Sequence, residues 1–394
     1  MNPKNPQGHS CTTGAVRPVN TTGRERRMSR YSRLCSRRQT GIAAVLLVAL
    51  AASAAWAGPT VSNVRASQRT DSSGMVDVYY DLTGASGSVK VDVLFSNDNG
   101  ANWNVIPAQG LLSGDVGPGV SNGSNRHIVW DAGRDRALVY WTQTKAKVRA
   151  AELGQTITIM LPGNVPLEMV RIPAGTFLMG SGYDPDPNYR NTSEAPQHNV
   201  NIAYDFYMCK YEITQAQWWA VMGNAPSTSQ YGNGPTYPVQ TISWNDCQAF
   251  IAKLATLGIG TFRLPSETEW EYACRAGSTT RFHFGDDPAL LPDYAWFTSN
   301  SSNTTHPVGQ KPPNAFGLYD MLGNVWEWTQ DWYHSNYDGA PTDGSAWETP
   351  SGSSRVLRGG AFYSGATNCR AASRDGYTPD GRSFNRGVRL VRTP

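Results

Sequence analysis

Apolar and polar residues alternate along five stretches of the first half of the chain: 61–68, 75–84, 89–100, 126–133 and 145–153. Period-two alternation puts every second side chain on one face, the pattern of a half-buried strand. Turn signals such as Asp98-Asn99-Gly100 separate the stretches. Short strands at this spacing predict a small all-β sandwich of immunoglobulin or fibronectin type over residues 58–158. Tyr79, Tyr80, Phe95 and Trp130 are its expected aromatic core. The segment carries no chemistry of its own, and a spacer or adhesion module is the expected role.

From residue 159 the pattern changes to three helix signals within loop-rich sequence. Thr214 with Gln217 forms a capping box ahead of AQWWAVM, which Gly223 ends. Ser243 caps a segment with Phe250, Ile251 and Leu254 on one face. Ser266 with Glu269 caps ETEWEYACRAG. Short strands such as VRIPAGTFLMG and SRVLRGGAF surround them, so residues 159–394 are expected to be α+β.

The N-terminus reads as a leader. A run of arginines precedes GIAAVLLVALAASAAWA, which ends in a small-x-small site. This predicts a signal peptide over residues 1–57, cleaved after Ala57, and a secreted or periplasmic protein. Of 34 basic and 31 acidic residues, nine and one fall in 1–57, leaving 25 and 30 and a net charge of −5. That balance gives no electrostatic footing for nucleic acid or, after cleavage, for an anionic membrane. Cys209, Cys247, Cys274 and Cys369 remain, an even count that favours disulfides in an oxidising compartment. No Cys/His spacing suggests zinc.

The order of motifs, MVRIPAGTFLMGS, EAPQHNVNIAYDFYMCKYEITQAQW, RLPSETEWEYACR, GLYDMLGNVWEW and RVLRGGAF, resembles the formylglycine-generating-enzyme (sulfatase-modifying factor) family over about 230 residues. The resemblance implies that family's variant of the C-type-lectin-like fold for residues 159–394. It also implies a calcium site at Asp320, Gly323, Val325 and Glu327; independently, two hard carboxylates flanking a tight Gly323-Asn324 turn suit Ca²⁺. The family's other calcium site falls around residues 294–303, where no ligand set matches.

Active members of the family bind Cu(I) through two cysteines five positions apart, after the Gly-Gly pair. Counted from Gly359-Gly360, those positions hold Ser364 and Cys369. Counted back from the arginine-containing segment that follows, Cys369 takes the place of the family's structural cysteine and would pair with Cys274. The serine of the oxygen pocket is replaced by Ala361, and the pocket tryptophan remains as Trp326. A second disulfide common in the family is replaced by Ile251 and Leu390. A hydroxyl is a poor Cu(I) ligand. The expectation is therefore a non-oxidising binding or structural module, with Ca²⁺ but not copper and a protein or glycan ligand; the competing expectation is a copper-dependent oxidase making formylglycine. Glu267, Glu269 and Glu271, in an early helical turn, are expected to serve the helix dipole or arginine partners rather than catalysis.

Overall fold

The computed structural model describes residues 46–48 and 58–393, apart from 104, 108–109, 136–143, 183, 185 and 226–228. Most of the leader and its cleavage site lie outside the described residues; of it, Leu46–Val48 forms a short strand antiparallel to Thr60–Gln68. Val45–Pro394 is one compact unit, and no helix among the described residues is long and apolar enough to cross a membrane.

The alternating stretches become strands. Leu46–Val48, Thr60–Gln68, Met75–Thr83, Gly123–Asp131 and Leu112–Gly114, in that order, form one sheet; Gly117–Val120, Val89–Ser96 and Lys145–Glu152 form another. Along Met75–Thr83 burial follows period two, with Val76, Val78, Tyr80 and Leu82 inside. They pack with Val91, Val93, Phe95, Ile128 and Trp130 in one cluster, where the Phe95 and Trp130 rings stack at 4.5 Å. The same period places Tyr79 on the opposite face, stacked on His127 at 4.4 Å, so it is not a core residue.

Val89–Ser96 is buried on both faces. Its second face meets the C-terminal region. Asp92 accepts hydrogen bonds from the Thr176 amide at 3.0 Å, the Thr176 hydroxyl at 2.9 Å and Arg149 at 2.5 Å. Lys90 lies over the Tyr272 ring, 5.3 Å from its centroid. The contact is close because residue 175 is glycine: a Cβ there would come 2.1 Å from the Tyr272 hydroxyl.

The C-terminal region is assembled from small sheets. Phe262–Arg263, Val391–Arg392, Phe206–Cys209, Val165–Ile172 and Thr156–Leu161 form a five-stranded sheet; Gly175–Met179 pairs with His198–Ile202; Arg374–Tyr377, Arg355–Arg358, Trp326–Trp332 and Arg386–Gly387 form a four-stranded sheet. Three helices carry capping boxes: α1 (Gln215–Met222) through Thr214 and Gln217, α2 (Trp244–Ala255) through Ser243 and Asp246, α3 (Glu267–Arg275) through Ser266 and Glu269. On α2, Phe250 and Leu254 are fully buried and Ile251 packs against the same cluster, which also holds Leu390.

Every residue of α3 is buried. Its charges survive because each finds a partner from far along the chain. Glu267 is bound by Arg374 at 2.6 and 2.8 Å and by the Tyr337 hydroxyl at 3.0 Å. Glu269 takes a bidentate pair from Arg263 at 2.6 Å and a 3.0 Å bond from Tyr204. Glu271 is held by Arg358, by Arg275 and by the Gly180 amide, the last two at 2.8 Å. These carboxylates are structural.

The expected Cys274–Cys369 disulfide is not formed: Cys209, Cys247, Cys274 and Cys369 are free, buried thiols. Each has its own surroundings. Cys274 Sγ lies 3.9 Å from the Met321 carbonyl oxygen, whereas Cys369 Sγ packs on Gly360, where a Cβ would stand 2.7 Å from the sulfur. Burial pushes both thiols up to about 12, which keeps them protonated.

Two outcomes follow. Glu271→Ala leaves Arg358 and Arg275 buried without their carboxylate, and chemical denaturation is expected to show a loss of about 3–5 kcal/mol. Iodoacetamide is expected to leave the four thiols unmodified in the folded protein and to alkylate all four in denaturant without reductant, read by mass; resistance of Cys274 and Cys369 in denaturant would reinstate their disulfide.

Candidate functional site

The site begins where the four-stranded sheet ends. Trp326–Trp332 and Arg355–Arg358 pair antiparallel, with Glu327 opposite Arg358. Gly359 and Gly360 follow with φ of 96° and 78°, a left-handed turn that favours glycine. The chain then folds back on itself. The Ala361 carbonyl oxygen accepts from the Ser364 amide at 2.8 Å, and the Ala361 amide donates to Ser364 Oγ at 3.1 Å.

Cys369 lies against the neighbouring Gly360, where a Cβ would stand 2.7 Å from its sulfur. Positions 364 and 369 thus both lie against the Gly360-Ala361 turn, but the pair offers a hydroxyl and a protonated, buried thiol. Ser364 is only 7% exposed and its oxygen closes its own turn. Trp326 shares a hydrophobic cluster with Ala361, while Cys369 belongs to the other C-terminal cluster. A Cu(I) ion requires soft thiolates, so these residues do not fit copper.

Beside this turn the surface is aromatic. Tyr363, 58% exposed, meets Phe384 edge-on at 5.8 Å; Phe384 stacks on Tyr231 at 4.5 Å; and Phe362 lies 5.9 Å from both Tyr231 and Phe384. The loops containing Tyr231 and Phe384 are brought here by tertiary folding, and no local signal in the sequence marks them as partners of Tyr363.

The second candidate cluster surrounds the turn from Asp320 to Glu327. Asp320, Gly323 and Asn324 have φ of 54°, 82° and 55°. Gly323 is required sterically, since a Cβ would stand 2.2 Å from the Trp296 carbonyl oxygen. The Asn324 side chain pins the turn, accepting from the His306 amide at 3.0 Å and donating to Glu212 at 2.7 Å. Asp320 accepts from the Gly309 amide at 2.6 Å. Glu327 is enclosed by Arg389 at 2.8–3.0 Å and by Trp270 Nε1 at 2.7 Å.

Glu212 is the member that sequence reading missed. It lies over a hundred residues upstream, yet also accepts from the Val325 amide at 3.1 Å. Three buried carboxylates therefore face one buried guanidinium. Burial, with repulsion from Asp320 and Glu327, drives Glu212 well above the usual carboxylate range, and burial raises Asp320 to about 6. Hard oxygen donors with excess negative charge match Ca²⁺ in kind. Among the described residues, however, no three His, Cys, Asp or Glu side chains converge on a common metal position.

A separate cleft of about 470 Å³ lies between Gly180, Asp184, Gln197, Arg275, Arg281 and Arg370. Its guanidiniums are already paired: Arg281 with Asp184, Arg370 with Glu194 and Arg275 with Glu271.

Against known proteins, the formylglycine-generating enzyme of Bos taurus is 31% identical over 303 aligned positions, covering 58% of this chain and 78% of that protein. The inactive C-alpha-formylglycine-generating enzyme 2 of Bos taurus is 32% identical over 206 positions, covering 44% of this chain and 58% of that one. Among solved structures, PvdO from Pseudomonas aeruginosa aligns with a TM-score of 0.56 and 32% identity, over 62% of this chain and 99% of PvdO. A family model described as the sulfatase-modifying factor enzyme 1-like domain matches residues 161–394, and with more than half of its length so matched the chain belongs to that family.

Proposed function

We propose that this protein is an exported, non-oxidising member of the family, in which the sulfatase-modifying-factor domain works as a binding module. The observation that carries the reading is the Ser364 hydroxyl, which accepts the Ala361 N–H at 3.1 Å where an active member would present a copper-binding thiolate. Cys369, the remaining thiol of the pair, is buried and protonated. A relative 32% identical is itself named an inactive formylglycine-generating enzyme, which supports the same reading. The face we assign to the ligand is the aromatic rim of Tyr231, Tyr363 and Phe384, with buried Phe362 beneath it. Export rests on the leader ending at Ala57. The immunoglobulin- or fibronectin-like type is our reading of the two sheets that precede the family domain.

The competing reading is a copper-dependent oxidoreductase that converts a protein cysteine to formylglycine, favoured by the 31% identity to an enzyme of that name. The two separate cleanly. Incubated with Cu(I), O₂ and a Cys-x-Pro-x-Arg peptide, the protein is expected to leave the peptide mass unchanged. Conversion of the cysteine to the aldehyde would overturn the non-oxidising reading.

We also assign calcium to Asp320 and Glu327, with the carbonyl oxygens of Gly323 and Val325. The charge of the site supports this, since a divalent cation would offset the excess of Glu212, Asp320 and Glu327 over Arg389. Binding only to the folded state raises stability by about 2.7 kcal/mol at a hundredfold excess over Kd. In a domain of this size that is several degrees of Tm. Saturating Ca²⁺ is expected to raise Tm over chelator by that much, and Asp320→Ala to abolish the difference; equal melting curves for the native protein refute the assignment.

A further inference from the structure

Thr156–Leu161 is the outer strand of the five-stranded sheet and pairs antiparallel with Val165–Ile172 on one side only. The register decides which of its backbone groups are free. The Arg171 amide donates to the Gln155 carbonyl at 2.8 Å, so residues 155, 157, 159 and 161 are the ones whose N–H and C=O groups face this ladder. Pro166, which has no N–H to give, accordingly stands opposite Met160. Thr156, Thr158 and Met160 therefore turn their backbone groups away from the sheet, and no described residue takes any of them. All three residues are exposed, Met160 by 50%.

Sheet edges are ordinarily protected against pairing with another chain, and the other edges among the described residues are. Phe262–Arg263 and Arg386–Gly387 are two residues long, and Leu46–Val48 and Leu112–Gly114 three. Gly117–Val120 contains Pro118, while Lys145–Glu152 and Arg374–Tyr377 carry charges. In the hairpin of Gly175–Met179 and His198–Ile202, the Thr176 amide is taken by Asp92 at 3.0 Å and the Asn201 amide by the Thr342 carbonyl at 2.9 Å. Thr156–Leu161 has none of these devices. It is six residues, TITIML, with no charge, proline or bulge.

We propose that this edge is the contact between two copies of this chain, which pair antiparallel about a twofold axis at Thr158 and join their sheets. The sequence is self-complementary in that register. Thr158 meets the second copy's Thr158, and Thr156 meets its Met160. All three outward residues are used, and each pair exchanges two hydrogen bonds. On the opposite face Ile157 meets the second copy's Ile159. Both isoleucines are only partly buried against the core cluster beneath α1, and a cross-strand apolar neighbour covers what α1 leaves open. Residues 153–163 contain no charge, so no like charges are set against each other across the axis. Any extended peptide satisfies the free backbone groups; the matched isoleucines select a second copy. No residue of the aromatic rim or of the Asp320 cluster lies on this strand, so the proposal stands apart from the binding-module and calcium readings.

Sedimentation of the full-length chain over about 1–100 µM is expected to show a concentration-dependent dimer, as suits an interface of small size. Thr158→Lys sets like charges opposite each other on the axis and is expected to raise the dimer Kd at least about tenfold. Its far-ultraviolet dichroism is expected to match the native protein, since the side chain is exposed. Thr158→Glu alone is expected to do the same, and an equimolar mixture of the two variants to restore the dimer, which misfolded variants would not. If neither variant folds, Thr158→Cys decides: mild oxidation is expected to give a disulfide-linked dimer, because paired Cα atoms stand about 5.5 Å apart. A monomer throughout the range, a dimer that Thr158→Lys leaves intact, no dimer from the mixture, or no cross-link through Thr158→Cys each overturns the proposal. A monomer that instead takes up an extended peptide at this edge overturns it in favour of that occupant.

Discussion

The burial of α3 with its charges intact is the constraint on which the C-terminal region depends. A helix whose nine residues are all buried could have been apolar. Instead Glu267 and Glu271 recruit Arg374 and Arg358 from distant strands, Glu269 takes Arg263 from just ahead of the helix, and the helix's own Arg275 joins Glu271. A buried carboxylate without its partner costs several kcal/mol, so each pair fixes where a distant strand can lie. Arg358 precedes Gly359-Gly360 directly, and Arg374 begins the strand that pairs with Arg355–Arg358. The ionic lattice of α3 thereby sets the position of the turn that carries Ala361 and Ser364.

The same device extends to the sheets that precede the family domain. Asp92 and Lys90 project from Val89–Ser96 into the C-terminal region and meet Thr176 and the ring of Tyr272, a residue of α3. A spacer would present a solvated face there. The buried carboxylate and ammonium make this contact part of the fold, and their removal from either side leaves a polar group stranded.

The cluster around Asp320 and Glu327 departs from this satisfied state. There carboxylates outnumber guanidiniums, and burial raises Glu212 and Asp320 above the usual carboxylate range.

Much was legible in the residues alone. Period-two alternation located five strands, although it could not say which face of Met75–Thr83 would be inward, and Tyr79 was assigned to the wrong one. Capping boxes located three helices because caps are local chemistry, satisfied within four residues. The Ser364 and Ala361 substitutions were visible because the motif fixes their register. What the sequence could not decide was set by contacts between distant residues: that Cys274 and Cys369 remain separate thiols in one core, and that Glu212 joins Asp320 and Glu327. The period of a strand and the cap of a helix are determined by neighbours in the chain. Pairing of buried charge is determined by neighbours in space, and only the folded chain supplies them.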